Sequence, residues 1–132
     1  MSHNCQNLLI HCMDFRLVKS HSNWAQGTLG DKNYDLVAIA GSQKNFLDEA
    51  TRATALKQVD ISTRLHGVTQ VNLVAHEDCG AYGGSKTFSS FEEEKAKYLI
   101  DMNEAEKIIL AQFPTLTVKK YLMMLSGDVV EL

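Results

Sequence analysis

Three short apolar runs, each closed by polar residues, constrain the fold of this chain more than any other feature: NLLIHC at residues 7–12, YDLVAIA at 34–40 and QVNLVA at 70–75. Runs of this length read as strands buried on both faces. A fourth run, LTVKKYLMML at 116–125, leads into a Ser126-Gly127-Asp128 turn and a short fifth candidate at 129–132. Helical patterns lie between the runs. The clearest covers 91–113, where Leu99, Met102, Ala105, Ile109 and Phe113 recur at steps of three and four. Ser90 and Glu93 suit a capping box, and Pro114 stops that helix. A second helix is predicted over 45–65, with Phe46, Ala50, Ala53, Leu56 and Val59 on one face and Gly67 just past its end. A shorter one containing Trp24 is predicted over 17–26.

Strands alternating with helices require right-handed crossovers and a parallel sheet covered on both faces. The expected fold is α/β, a single three-layer domain over residues 1–132 with a mostly parallel central sheet of four to five strands. If the first strand lies between the second and third, the direction of winding reverses between strands one and three. Ligands collect at such a switch point, beyond the carboxyl ends of the strands. The two strand ends there are Cys12 and His76.

Cys12-Met13-Asp14-Phe15-Arg16 follows the first strand and His76-Glu77-Asp78-Cys79-Gly80 the third. The topology therefore gathers two cysteines and one histidine, donors suited to Zn2+, and three protein ligands leave one tetrahedral position open, as in catalytic zinc sites. Two thiolates and a neutral imidazole cancel the charge of the ion, so activating a water there needs help. A carboxylate at Asp14 can accept the water's hydrogen if a partner holds it off the metal, and the planar fork of Arg16 can take both of its oxygens. Against this stand plainer readings: Cys12 as a small buried hydrophobe, and Asp14 with Arg16 as a surface ion pair.

The remaining totals narrow the function classes. A chain of 132 residues is large enough for one domain, and its net charge of −3 argues against a nucleic-acid backbone or an anionic membrane as partner. No apolar stretch is long enough for a membrane span, and residues 1–6 lack the features of a signal peptide, so a cytoplasmic location is expected. Three cysteines are too few for a disulfide framework. Cys5 has only His3 near it at ligand spacing and is expected to have no role. His11 should point to the opposite face from Cys12 and pack there, whereas His21 and His66, near helix ends, are weak candidates for carrying protons to solvent. Glu77 and Asp78 either accept hydrogen bonds beside the metal or are solvated. Gly80, Gly83 and Gly84 allow a tight turn after Cys79. Trp24, Tyr98 and Phe113 are expected to pack.

Cys-x-Asp-x-Arg followed some sixty residues later by His-x-x-Cys-Gly resembles the β-class carbonic anhydrases, and CMDFRL with HEDCG is most similar to their short-chain branch. The resemblance extends over the Asp-apolar-Ala-Gly strand at 35–41 and the closing strand and turn at 121–132. It implies a β-carbonic-anhydrase-like fold, zinc held by Cys12, His76 and Cys79, and Asp14 with Arg16 as a catalytic dyad. The implied reaction is reversible hydration of carbon dioxide to bicarbonate by zinc-bound hydroxide, in a homodimer or higher homo-oligomer. Two departures stand out: Phe15 replaces a small serine and is expected to narrow or reshape the pocket, and Ala38-Ile39 replaces the usual Arg-Asn. The alternatives are hydrolysis of carbonyl sulfide or carbon disulfide at the same site, a zinc module without turnover, and a metal-free thiol protein.

Overall fold

The computed structural model describes residues 3–132, so the reading of residues 1–6 extends in part to two residues outside those described. Five strands form one sheet among them: β1 (Asn7–His11), β2 (Tyr34–Ala38), β3 (Gln70–His76), β4 (Thr117–Met123) and β5 (Val129–Glu131). Their order is β2-β1-β3-β4-β5, with β1 to β4 parallel and β5 antiparallel to β4. As expected, β1 lies between β2 and β3, and the winding reverses there. The fold is α/β.

Pleating divides the apolar residues between two helical layers. Leu8, Ile10, Val71 and Leu73 face one way and pack with Phe46, Val59, Met102 and Ile109 from α2 (Lys44–Leu47), α3 (Arg52–His66) and α4 (Phe91–Gln112). Leu9, Val74, Tyr121 and Met123 face the other way, against Ala25 of α1 (Val18–Thr28) and Leu17 and Leu29 beside it. Each fully buried aliphatic side chain of this kind contributes roughly 1.5–3 kcal/mol. No helix among the described residues is long and apolar enough to cross a membrane.

The helix predicted over 45–65 is broken in two. Asp48 is extended at φ −78° and ψ 122°. The Arg52 side chain then donates to the carbonyls of Phe46 at 2.8 Å and Leu47 at 2.9 Å, satisfying acceptors that the end of α2 leaves free. This break lets α2 tuck beneath the carboxyl end of the sheet, where Phe46 is buried. The cap of α4 also differs in part from the expected box. Ser90 Oγ accepts from the Glu93 amide at 3.1 Å, but the Glu93 carboxylate accepts from the amide and hydroxyl of Ser89 rather than returning to Ser90. Gly67 ends α3 at φ +66° as anticipated.

Candidate metal centre

At the carboxyl end of β1 and β3, one ligand atom from each of Cys12, His76 and Cys79 lies within 4.8 Å of the others, and all three residues are buried. His76 is the last residue of β3. Its Nδ1 meets the Glu77 carbonyl at 2.7 Å, which places the proton there and leaves the lone pair on Nε2. Nε2 is buried and has no hydrogen-bond partner among the described residues. Gln43, Tyr82 and Tyr98 line the small space beside the three donors. A buried orphan nitrogen between two thiols in so small a space fits a metal ion.

Cys12 is drawn well below the usual thiol range, chiefly by the nearby Cys79 sulfur and then by the proximity of the His76 ring, and burial does not offset this. Cys79 is pushed far up by the nearby Cys12 sulfur and by burial. A divalent cation at this position would replace the thiol protons.

Asp14 and Arg16 stand beside this group on a 3-10 turn at Phe15–Leu17, which Asp14 caps by accepting from the Arg16 amide at 2.9 Å. Arg16 reaches back to grip both carboxylate oxygens, Nε to Oδ1 at 3.1 Å and NH2 to Oδ2 at 2.8 Å. The guanidinium hydrogen bond, opposed only by partial burial, holds Asp14 down to about 2. Oδ2 lies 3.8 Å from His76 Nε2. Arg16 also donates to Asp78, to Oδ2 at 3.0 Å and to the carbonyl at 3.1 Å, so one cation joins the segments after β1 and β3.

A second set of residues, which sequence reasoning missed, fixes the segment after β3. Glu94 of α4 is buried and accepts from the Asp78 amide at 2.7 Å, the Tyr98 hydroxyl at 2.7 Å and the Ser85 hydroxyl at 2.8 Å. A carboxylate four residues before Tyr98 on an apolar helix face is the signal that could have marked it. Asp78 itself takes φ +62° while its Oδ1 accepts from the Ser85 amide at 2.7 Å. Gly84 follows at φ +82°, and a Cβ there would come within 3.0 Å of Asp78 Oδ1.

Other expectations meet mixed outcomes. His11 points away from Cys12 and stacks on His21, with ring centroids 3.8 Å apart. His21 is buried within α1 beside the hollow next to Cys12, held down to about 3 by burial and then by His11, so it stays neutral near pH 7. Phe15 is 85% exposed and lines the open groove over Asp14 and Arg16, so it shapes the wall of that groove within one chain. Tyr98 packs in the core, while Trp24 and Phe113 are partly buried against it.

A family model described as "Putative carbonic anhydrase" matches residues 2–130. The chain belongs to that family. Among solved structures, the carbonic anhydrase from Streptococcus mutans superposes with a TM-score of 0.67 at 17% identity, covering 99% of this chain and 84% of that one. The β-carbonic anhydrase CafA of Aspergillus fumigatus gives 0.69 at 14%, covering 99% and 76%. At these identities the likeness establishes the β-carbonic-anhydrase fold. An uncharacterized protein of Rickettsia conorii is 30% identical over 128 residues, 92% of this chain and 69% of its own length.

Proposed function

We propose that this carbonic anhydrase family member is an active zinc enzyme that reversibly hydrates carbon dioxide to bicarbonate, with Cys12, His76 and Cys79 as the metal ligands. The observation that carries this is the orphaned His76 Nε2, flanked by two buried thiols and faced at 3.8 Å by a carboxylate that Arg16 grips on both oxygens. When bound, zinc supplies a Lewis acid that makes water nucleophilic near neutral pH.

Each side chain then has a distinct task. Asp14 Oδ2 accepts the hydrogen of the attacking water and so orients its lone pair toward the carbon. With its pKa near 2, Asp14 stays ionised and acts as an acceptor, never as the final base. Arg16 keeps that carboxylate from closing onto the ligand cluster, and Asp78 holds Arg16. A groove of about 540 Å³ over Asp14, Arg16, Gly83 and Lys86 opens the pair to solvent. On the other side of Cys12, a hollow of about 250 Å³ is lined by Met13, Val18 and Ala38 together with His11 and His21.

The rim of that hollow supports a homo-oligomer. Met13, Val18 and Leu36 are exposed apolar residues on it, and β2 is an edge strand. The related enzymes from Sordaria macrospora are tetrameric.

Stopped-flow carbon dioxide hydration tests the proposal. Zinc-loaded protein is expected to turn over, and Asp14→Asn to keep its metal while losing on the order of 100-fold in rate. A metal-loaded wild type that leaves carbon dioxide at the uncatalysed rate would indicate a non-catalytic module. Turnover of carbonyl sulfide or carbon disulfide alone would reassign the substrate.

A further inference from the structure

At the opposite, amino end of the sheet, a second set of metal donors comes together from three separate parts of the chain. Cys5 precedes β1, Asp35 lies on β2 opposite Leu8 of β1, and His66 is the last residue of α3. One ligand atom from each lies within 4.8 Å of the other two. The backbone fixes this meeting. The Cys5 amide donates to the His66 carbonyl at 3.0 Å, and the β1–β2 register brings Asp35 under the last turn of α3. Ser62, one turn before His66, donates to Asp35 Oδ2 at 2.6 Å and orients the carboxylate.

The chemistry of the cluster favours a cation. His66 Nδ1 lies 2.7 and 2.9 Å from the two oxygens of Asp35, and no lysine or arginine pairs with that carboxylate among the described residues. The Cys5 thiol makes a long contact of 3.6 Å to the Asn7 carbonyl and lies near the Asp35 backbone. The His3 ring lies against that of His66, with centroids 4.8 Å apart. A thiolate, an imidazole and a carboxylate, with a second imidazole at hand, match the preferences of zinc and similar borderline-soft dications.

The geometry points to a second, structural metal site at Cys5, Asp35 and His66, with His3 as the available fourth ligand, taking Zn2+ or a similar transition-metal dication. At neutral pH, binding displaces the Cys5 thiol proton, and the two negative ligands balance the charge of the ion. The ion joins the segment before β1 to β2 and to the end of α3. It is independent of the site at the other end of the sheet.

The test uses the full chain, stripped with a chelator and reloaded with zinc. Metal analysis is combined with iodoacetamide labelling of the Cys5 peptide, read by mass spectrometry. The wild type is expected to hold two zinc ions per chain, and Cys5→Ser and Asp35→Asn one each. Zinc should slow labelling of Cys5 by about 10-fold or more in the wild type and in Cys79→Ser. If both amino-end variants hold as much zinc as the wild type, or if Cys5 labels equally fast with and without zinc, the site does not exist. A wild type holding a single ion that is lost in Asp35→Asn but kept in Cys79→Ser supports this site while removing the metal from the proposed enzyme centre. The labelling readout needs no variant, so misfolding of a substituted chain does not blunt it.

Discussion

The two ends of the sheet carry the same donor elements in different settings. At the carboxyl end, Cys12, His76 and Cys79 are buried and His76 Nε2 has no hydrogen-bond partner among the described residues, whereas at the amino end Cys5, Asp35 and His66 are half-buried and Asp35 and His66 are hydrogen-bonded to each other. The first arrangement leaves the His76 lone pair free for a ligand, and the second already satisfies its imidazole with the Asp35 carboxylate. On the two proposals above, the first would be the reactive site and the second a structural one.

Removing one sulfur from each end gives the largest expected contrast. Cys79→Ser should lose the ion at the carboxyl end and reduce carbon dioxide hydration to the uncatalysed rate, while Cys5→Ser should leave hydration at the wild-type level. Metal content and stopped-flow rates check both. Equal losses of rate in the two variants would mean that the ends are not independent.

A smaller effect is expected from the support beneath the carboxyl end. Glu94 carries three hydrogen bonds from the segment after β3 and from Tyr98, and Glu94→Gln replaces one acceptor oxygen with a donor facing donors. Denaturant unfolding should show a loss of about 1–3 kcal/mol. Hydration should fall by less than in Asp14→Asn, because the dyad is displaced rather than removed. An unchanged unfolding midpoint would mean that water replaces these bonds.

How much of this was visible in the sequence follows from what each feature depends on. The strand order and the meeting of Cys12 with His76 were legible because strand length, apolar runs and crossover handedness determine them, and none of these requires side-chain detail. The grip of Arg16 on Asp14 was legible because both residues sit on one short turn. Glu94 was not, since a glutamate in a Glu-rich first turn of a helix reads as solvated. The break at Asp48 carries no proline or glycine, and it is set by the Arg52 side chain reaching the carbonyls of α2. Cys5, Asp35 and His66 are far apart in the chain, and their meeting depends on strand register and on where α3 ends.

The smallest predicted difference lies between two glycines, one at each end of the sheet. Both adopt left-handed backbone, Gly84 at φ +82° and Gly67 at φ +66°, so alanine at either position should cost about 1 kcal/mol from conformation alone. Their surroundings differ. A Cβ at Gly84 meets Asp78 Oδ1 at 3.0 Å, and that carboxylate also receives the Ser85 amide and Arg16, whereas a Cβ at Gly67 finds only Asn4 at an ordinary 3.6 Å. Gly84→Ala should therefore be the more destabilised of the two, by roughly a further 1 kcal/mol. It should also lower the hydration rate, because Asp78 cannot yield without disturbing Arg16. Gly67→Ala should leave the rate unchanged. Equal unfolding midpoints with equal rates would show that the turn after Cys79 gives way freely, and that Asp78 does not transmit position to the dyad.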